Sequence, residues 1–225
     1  MLIFAVTVGG CAPPQAAPTI TSTGLDPQQT PTTQPNIIVI TPTQSSGLLL
    51  PTPGTSFCAD PGVQAVLTGL ITAIKENDGA ALGSLIDPVD GLDIYYTSAS
   101  LPVNITVETA LDLFDSTLSY TWGDHPGSGL PVEGTFSVEI LPLLLDGMDR
   151  PHTQACQNLE TGIGTGPTTA VITWPEKHSG MPFIALFRAP GPQDNELDWR
   201  TWAVGFSVVN GEPKIRMLIQ YFWEI

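Results

Sequence analysis

The first 55 residues constrain the fold most, because their composition cannot build a hydrophobic core. They are rich in Pro, Thr, Ser and Gln and contain no Lys or Arg and one acid, Asp26. Such a segment buries too little apolar surface to offset the entropy of ordering it. Proline keeps the chain extended, so we expect residues 11–55 to form a disordered, low-complexity tether. The folded part is predicted to be one domain spanning residues 56–225.

A short apolar run precedes the tether. Residues 2–8 are too few to cross a bilayer but have the length of a signal-peptide core. The following sequence, Val8-Gly9-Gly10-Cys11, resembles the bacterial lipobox, in which an aliphatic and two small residues precede a cysteine that becomes acylated. We therefore predict a lipoprotein signal at residues 1–10 and lipidation, as by palmitate, at Cys11. The alternative is an ordinary cleaved signal with a chance cysteine.

The net charge of the domain limits the classes of partner that it can bind. Of the 22 acidic residues 21 lie beyond residue 55, together with all seven Lys and Arg, so the domain carries about −14. A field of this sign repels phosphate backbones and anionic lipid headgroups, so no nucleic-acid partner is expected. Contact with the membrane is predicted only through the lipid anchor. We expect an exported protein held at the outer face of the cell membrane or cell envelope, with an unknown ligand or envelope partner.

Hydrophobic periodicity predicts that the domain begins with helices. The predicted helices span residues 60–77, 80–86 and 107–114. The first has Asp60 as its N-cap and Pro61 at its first helical position, which is a typical start signal. Residues 136–145 fit either a helix or a strand, because Pro142 disfavours both.

Strand composition dominates the rest of the domain. The predicted strands span residues 92–97, 118–122, 168–174, 183–188, 199–209 and 213–223. Asn210-Gly211 is the strongest hairpin signal, because both residues accept the left-handed conformation of a type I′ turn. Helices first and a long antiparallel meander last predict an α+β domain.

Four short motifs carry a family resemblance. They are Tyr120-Thr121-Trp122-Gly123, Gly127-Ser128-Gly129, Leu197-Asp198-Trp199-Arg200 and the terminal Phe222-Trp223-Glu224-Ile225. Through them, residues 58–225 resemble a group of secreted bacterial lipoprotein domains with no settled function. The resemblance implies N-terminal helices packed on a curved, cone-like antiparallel sheet, as in the nuclear-transport-factor-like (SnoaL-like) superfamily. That architecture hosts enzymes, ligand carriers and interaction modules, so function must be inferred from the site.

Two cysteines lie within the predicted domain. Cys58 opens it and Cys156 follows 98 positions later. In an exported protein such a pair most simply forms a disulfide, and closing so long a loop contributes about 4 kcal/mol in the chain-entropy model. Two unpaired buried thiols are the alternative. No metal-binding spacing accompanies the cysteines, and the sequence predicts neither a metal nor a cofactor.

The residues that could carry chemistry form no complete catalytic constellation. His125, Asp198 and Arg200 are weak catalytic candidates, since a histidine and an acid can face the cavity of a curved sheet. A loop histidine and structural ion pairs explain the same residues. Asp87, Asp90 and Asp93 offer oxygen ligands for calcium, but their spacing departs from a calcium loop and turn formation explains them.

The sequence therefore favours a membrane-anchored extracytoplasmic lipoprotein whose domain binds an unknown ligand, rather than an enzyme. One alternative is a small-molecule-binding or enzymatic domain that uses a pocket at the mouth of the sheet. Another is a cell-envelope carbohydrate-binding module that stacks sugars on at least two exposed, coplanar indoles. The tryptophans available for that role are Trp122, Trp174, Trp199, Trp202 and Trp223.

Overall fold

Three helices open the described part of the chain, and the later helices lie between strands. The computed structural model describes residues 55–150, 152–159, 173–191 and 196–223. Cys11, the predicted signal and nearly all of the predicted tether lie outside the described residues. The helices are α1 (Thr55–Cys58), α2 (Pro61–Glu76), α3 (Gly79–Leu85), α4 (Val107–Leu111), α5 (Phe136–Glu139) and α6 (Leu141–Met148), followed by the 3-10 turn Glu176–His178.

Helix α2 forms as its sequence predicts. The Asp60 carboxylate accepts the backbone N–H groups of Gly62 and Val63 at 2.7 and 3.2 Å, and Pro61 occupies the first turn. The helix ends at Asn77, which is left-handed with φ 54°. One face is buried, as the repeat of apolar residues requires. The buried residues are Val63, Leu67, Leu70, Ala73 and Ile74.

The ambiguous segment at residues 136–145 is helical. It folds as α5 followed by α6, and Pro142 lies in the first turn of α6. A proline is tolerated there because the N–H it lacks would have no partner within the helix. The predicted α3 is confirmed, and α4 begins behind Thr106, whose side chain accepts the Thr109 N–H at 3.2 Å.

The strands form two sheets. They are β1 (Leu92–Tyr95), β2 (Val103–Ile105), β3 (Tyr120–Asp124), β4 (Pro131–Gly134), β5 (Thr153–Cys156), β6 (Phe183–Arg188), β7 (Arg200–Val209) and β8 (Glu212–Phe222). The larger sheet has the order β2-β1-β8-β7-β6-β5, and β3 and β4 form a separate antiparallel pair. Of the predicted strand at 168–174, residues 168–172 lie outside the described part, and Thr173 and Trp174 are not in a strand.

The α+β fold class is confirmed, and the larger sheet is mixed. All its neighbouring strands are antiparallel except β1 and β8, which run parallel with Ile94 opposite Leu218. A parallel pair needs a long crossover connection, and the elements between β1 and β8 supply it. The cone-like curvature implied by the family resemblance stays a prediction.

Both faces of the larger sheet are covered. Alternate residues of β7 and β8, among them Trp202, Val204 and Leu218, join the core formed with α2 and α6. The intervening residues face a smaller cluster, because successive side chains of a strand point to opposite faces. The buried members of that smaller cluster are Tyr95, Trp199, Ala203, Met217, Ile219 and Tyr221.

The last two strands form the predicted hairpin and contain one irregularity. Asn210 and Gly211 have φ of 54° and 86°, as a type I′ turn requires. Gly205 pairs with Met217 but Phe206 pairs with Ile215, which leaves one extra residue, Arg216, on β8. Such a β-bulge redirects a side chain.

Cys58 and Cys156 are placed as a bonded pair. Their Cα atoms are 5.8 Å apart, and the bridge joins α1 to β5 across 98 positions. The disulfide prediction therefore agrees with the structure. Among the helices of the described residues, none combines the length and hydrophobicity that crossing a membrane requires.

Candidate functional site

Two of the three catalytic candidates lie in an ion-pair network beside the start of β7. Arg200 Nε donates to Asp146 Oδ2 at 3.1 Å. Arg188 Nη2 lies 3.0 Å from the same oxygen and 3.1 Å from Asp198 Oδ1. Burial lowers the pKa of Arg200, whereas the charge of Asp146 raises it. Asp198 and Arg200 therefore form ion pairs with residues of β6 and α6. Structural ion pairs were the alternative to a catalytic role for these two residues.

The third candidate, His125, lies in a different element. It follows β3 in the turn before β4, where its N–H donates to the Leu130 carbonyl at 2.8 Å. Its Nδ1 accepts the Gly127 N–H at 3.2 Å. The structure thus brings Asp198 and Arg200 into one network and places His125 in the turn of the two-stranded sheet.

A buried carboxylate on β1 is the centre of a second, denser ionic cluster. Asp93 is fully buried. The partners of its Oδ2 are Lys177 Nζ at 2.6 Å, His178 Nε2 at 3.0 Å and Arg216 Nη1 at 3.0 Å. Its Oδ1 accepts Asn104 Nδ2 at 2.7 Å. We call these five residues the Asp93 cluster.

Four elements build the Asp93 cluster. Asp93 comes from β1, Asn104 from β2, Arg216 from the bulge of β8, and Lys177 and His178 from the 3-10 turn. The turn is fixed because the His178 carbonyl accepts Trp174 Nε1 at 2.8 Å. The sequence marks Asp93 as part of an acidic group but carries no signal for its partners, because only the folded chain brings them together.

The electrostatics of the Asp93 cluster keep its carboxylate ionised. Burial by itself raises the pKa of Asp93, but hydrogen bonds from its neighbours and the charge of Arg216 outweigh that effect and hold the pKa well below its usual range. Burial and the charge of Asp93 raise the pKa of Tyr95 to about 12. The side chains of Asp93 and His178 are 0% and 1% exposed. A buried, fully partnered carboxylate of this kind anchors the turn to the sheet.

The acids considered for calcium do not converge. Asp87 accepts Ser207 Oγ at 2.6 Å and the N–H groups of Val89 and Asp90 at 2.9 and 3.1 Å, so it closes a turn and ties it to β7. Asp93 is occupied by the cations described above. In the part of the chain that the structure describes, no group of His, Cys, Asp and Glu is arranged to hold a metal ion.

The tryptophans are mainly core residues. Trp122, Trp199 and Trp202 are buried, and Trp122 and Trp202 donate through Nε1 to the carbonyls of Gly134 and Leu143, each at 3.1 Å. Trp174 and Trp223 are partly buried, and Trp174 packs on Phe183 with ring centroids 4.5 Å apart. Within the described residues, therefore, no pair of fully exposed indoles forms a platform for a sugar.

A broad groove runs along the outer side of α2 and α3. Its volume is about 770 Å³. Small or hydroxylated side chains form much of its lining, including Ala65, Thr68, Thr72 and Ser84, and all four are exposed. Glu76 is the one charged residue among the lining residues. The groove is open to solvent, and all its lining residues belong to α2 and α3.

Every basic residue of the chain has a carboxylate partner within the domain. The pairs are Lys75–Asp149, Arg150–Asp146, Lys177–Asp93, Arg188–Asp198, Arg200–Asp146, Lys214–Glu212 and Arg216–Asp93, with N to O distances from 2.6 to 3.7 Å. Residues 76–149 contain no Lys or Arg at all. The charges that remain without an ion pair are therefore carboxylates.

Comparisons of the chain with protein-family models, with curated proteins and with solved structures find no match.

Proposed function

We propose that this chain is an exported lipoprotein, anchored to the membrane through Cys11, whose folded domain binds a protein of the cell envelope. The observation that carries the proposal is the pairing of all seven basic residues with carboxylates of the same domain. Because the unpaired charges are acidic, the domain is repelled by anionic headgroups and attracts a partner with a basic surface. A tether that holds it away from the membrane fits this charge.

The groove along α2 and α3 is the surface that we assign to this partner. Small side chains such as Ala65 and Gly69 let a backbone approach the helix closely, and the hydroxyls of Thr68 and Thr72 can hydrogen-bond to it. Glu76 at the C-terminal end of α2 supplies a negative charge for a basic side chain of the partner. The groove therefore suits a polypeptide segment with at least one basic residue.

The ionisable clusters favour binding over catalysis in this proposal. Asp198 and Arg200 are engaged in ion pairs, and the Asp93 cluster is enclosed between the sheet and the 3-10 turn. A general acid or base needs a titratable group within hydrogen-bond reach of a substrate. The groove offers Glu76 alone for such a role.

Site-specific photo-cross-linking in cells tests the proposal with the full-length protein. A photoreactive residue replaces Thr72, an exposed groove residue, or Val208, which is 55% exposed on β7 and serves as the matched control. We expect one discrete protein adduct from position 72 and no such adduct from position 208. Identical adduct patterns from both positions, or no adduct from either, would contradict the proposal.

A second experiment introduces a positive charge into the groove and repeats the cross-linking. Ala65→Arg places a long cation against the binding surface without disturbing the buried face of α2, and it should abolish the adduct at position 72. Val208→Arg is the control and should leave the adduct intact. An adduct that survives Ala65→Arg would show that the groove is not the contact surface.

A further inference from the structure

A second concave surface lies beside the two-stranded sheet. It shares no lining residue with the α2–α3 groove. It is a pocket of about 400 Å³ between residues 97–101 and β3. The lining residues that matter are Thr97, Ser100, Leu101, Thr121, Gly123 and Asp124. Its volume lies within the range of small-molecule sites.

The walls of the pocket are held in place before any ligand arrives. Thr97 Oγ1 and Ser100 Oγ are 2.9 Å apart, and Ser100 Oγ also accepts the Thr97 N–H at 3.2 Å. The Ala99 N–H donates to Thr97 Oγ1 at 3.3 Å. These bonds fix the 97–101 segment, so the cost of ordering it does not fall on binding.

Gly123 lets the two walls approach each other. Its φ is +125°, and a Cβ atom at this position would collide with Ser100 Oγ. The register of β3 against β4 shifts between Thr121 and Gly123, which leaves Trp122 as the extra residue of a bulge. The bulge turns the Trp122 indole into the core while Thr121 and Asp124 line the pocket.

The chemistry of the pocket comes from one carboxylate and several hydroxyls. Asp124 is exposed at the pocket and has no cation within ion-pair distance in the described part of the chain, where residues 76–149 contribute no base. Thr121, which is exposed, and Ser100, which is partly exposed, add hydroxyl groups that can donate and accept hydrogen bonds, whereas the Thr97 hydroxyl is buried in the wall. A carboxylate without an ion-pair partner, beside hydroxyl groups, is complementary to a small molecule that carries an ammonium group and several hydroxyl groups.

We propose that this pocket binds a small primary amine that carries several hydroxyl groups, an amino sugar being the class that combines both features. Asp124 binds the ammonium group, and the hydroxyls of Thr121 and Ser100 hydrogen-bond to the ligand. The side chain of Leu101, which is 85% exposed, covers one apolar face of the ligand. This site is separate from the α2–α3 groove, so it does not depend on the envelope partner proposed above.

Calorimetric titration of the full-length protein tests the assignment with three probes of defined chemistry. Glucosamine supplies both the ammonium and the hydroxyls, glucose the hydroxyls alone and methylammonium the charge alone. We expect glucosamine to bind at least tenfold more tightly than either of the others, since a hydrogen bond to a charged group contributes at least that factor. Equal affinities for glucosamine and methylammonium would refute the role of the hydroxyls, and equal affinities for glucosamine and glucose would refute the role of Asp124.

Two matched variants locate the binding. Asp124→Asn keeps the size of the side chain and removes its charge, so it should weaken glucosamine binding about tenfold and leave glucose binding unchanged. Asp112→Asn removes another exposed acid, at the end of α4 and outside the pocket, and should change neither affinity. If both variants act alike, or if no probe binds saturably, the pocket is not an amine site.

Discussion

Asp93 shows how a single residue can organise a polar cluster within an otherwise apolar layer. A buried carboxylate is unfavourable unless charges and hydrogen-bond donors compensate its lost hydration. Here Lys177, His178, Arg216 and Asn104 all reach its two oxygens. The cluster therefore joins β1 and β8 to the 3-10 turn, and it depends on the negative charge at its centre.

Replacing that charge should be costly. Asp93→Asn leaves the largely buried Arg216 guanidinium without its nearest carboxylate, so we expect the free energy of unfolding to fall by about 3 kcal/mol. Chemical denaturation of the full-length protein measures the loss. Asp90→Asn is the matched control, because Asp90 is 65% exposed in its side chain and 3.8 Å from Arg216, and it should cost less than 1 kcal/mol, roughly the value of a surface pair. Equal losses in the two variants would contradict this role for Asp93.

The pKa of Asp93 also sets a pH dependence. Burial raises the pKa of Asp93 and of Asp87, but hydrogen bonds and the charge of Arg216 lower both below the ordinary value. Such groups stabilise the folded state above their unfolded pKa of about 4, and the stabilisation is lost as the pH falls further. We expect the free energy of unfolding to decline steadily below about pH 4. Asp93→Asn should flatten that decline, and an unchanged slope in this variant would argue against the assignment.

Local sequence patterns correctly predicted those helices and turns that short-range interactions stabilise. The apolar repeat and the Asp60 cap predicted α2, and Asn210-Gly211 predicted the β7–β8 hairpin. The choice between helix and strand at residues 136–145 required the tertiary core. Pro142 is compatible with α6 only because the helix begins beside it, which the sequence pattern alone did not locate.

Long-range pairings were outside the reach of the sequence. The parallel contact of β1 with β8 joins segments separated by most of the domain, and the bulge at Arg216 depends on the register of β7. The Asp93 cluster needs both features together with the 3-10 turn. The sequence therefore supplied Asp198 and Arg200 as candidates from a motif, while the residues that build the groove and the pocket carried no motif of catalysis.

The disulfide allows a prediction about two elements. Cys58 and Cys156 join α1 to β5, and the loop between them is long enough for the bond to restrict the unfolded chain strongly. We expect the double variant Cys58→Ser, Cys156→Ser to lose about 2–4 kcal/mol of stability relative to the oxidised protein. A reducing agent should destabilise the native protein by a similar amount and leave the double variant unaffected. Insensitivity of the native protein to reduction would contradict the bridge.

Across the whole molecule, the negative charge of the domain is consistent with the predicted tether. The protein has 22 acids and seven bases, and its bases are engaged within the domain. A domain with this surface gains nothing from lying on an anionic membrane. In the function we propose, a lipid on Cys11 attaches the protein and the Pro/Thr-rich segment spaces the domain from the membrane. The same proposal assigns the α2–α3 groove to a partner in the envelope, and the Asp124 pocket is assigned separately to a small amine.

We propose that the domain works at the membrane through a lipid on Cys11, and intact-mass analysis of the membrane fraction tests this directly. We predict a protein that begins at Cys11 and carries the added mass of two or three acyl chains, and a Cys11→Ser variant that lacks this mass and leaves the membrane fraction. A membrane-fraction protein that retains Met1 and carries no acyl mass would contradict the claim.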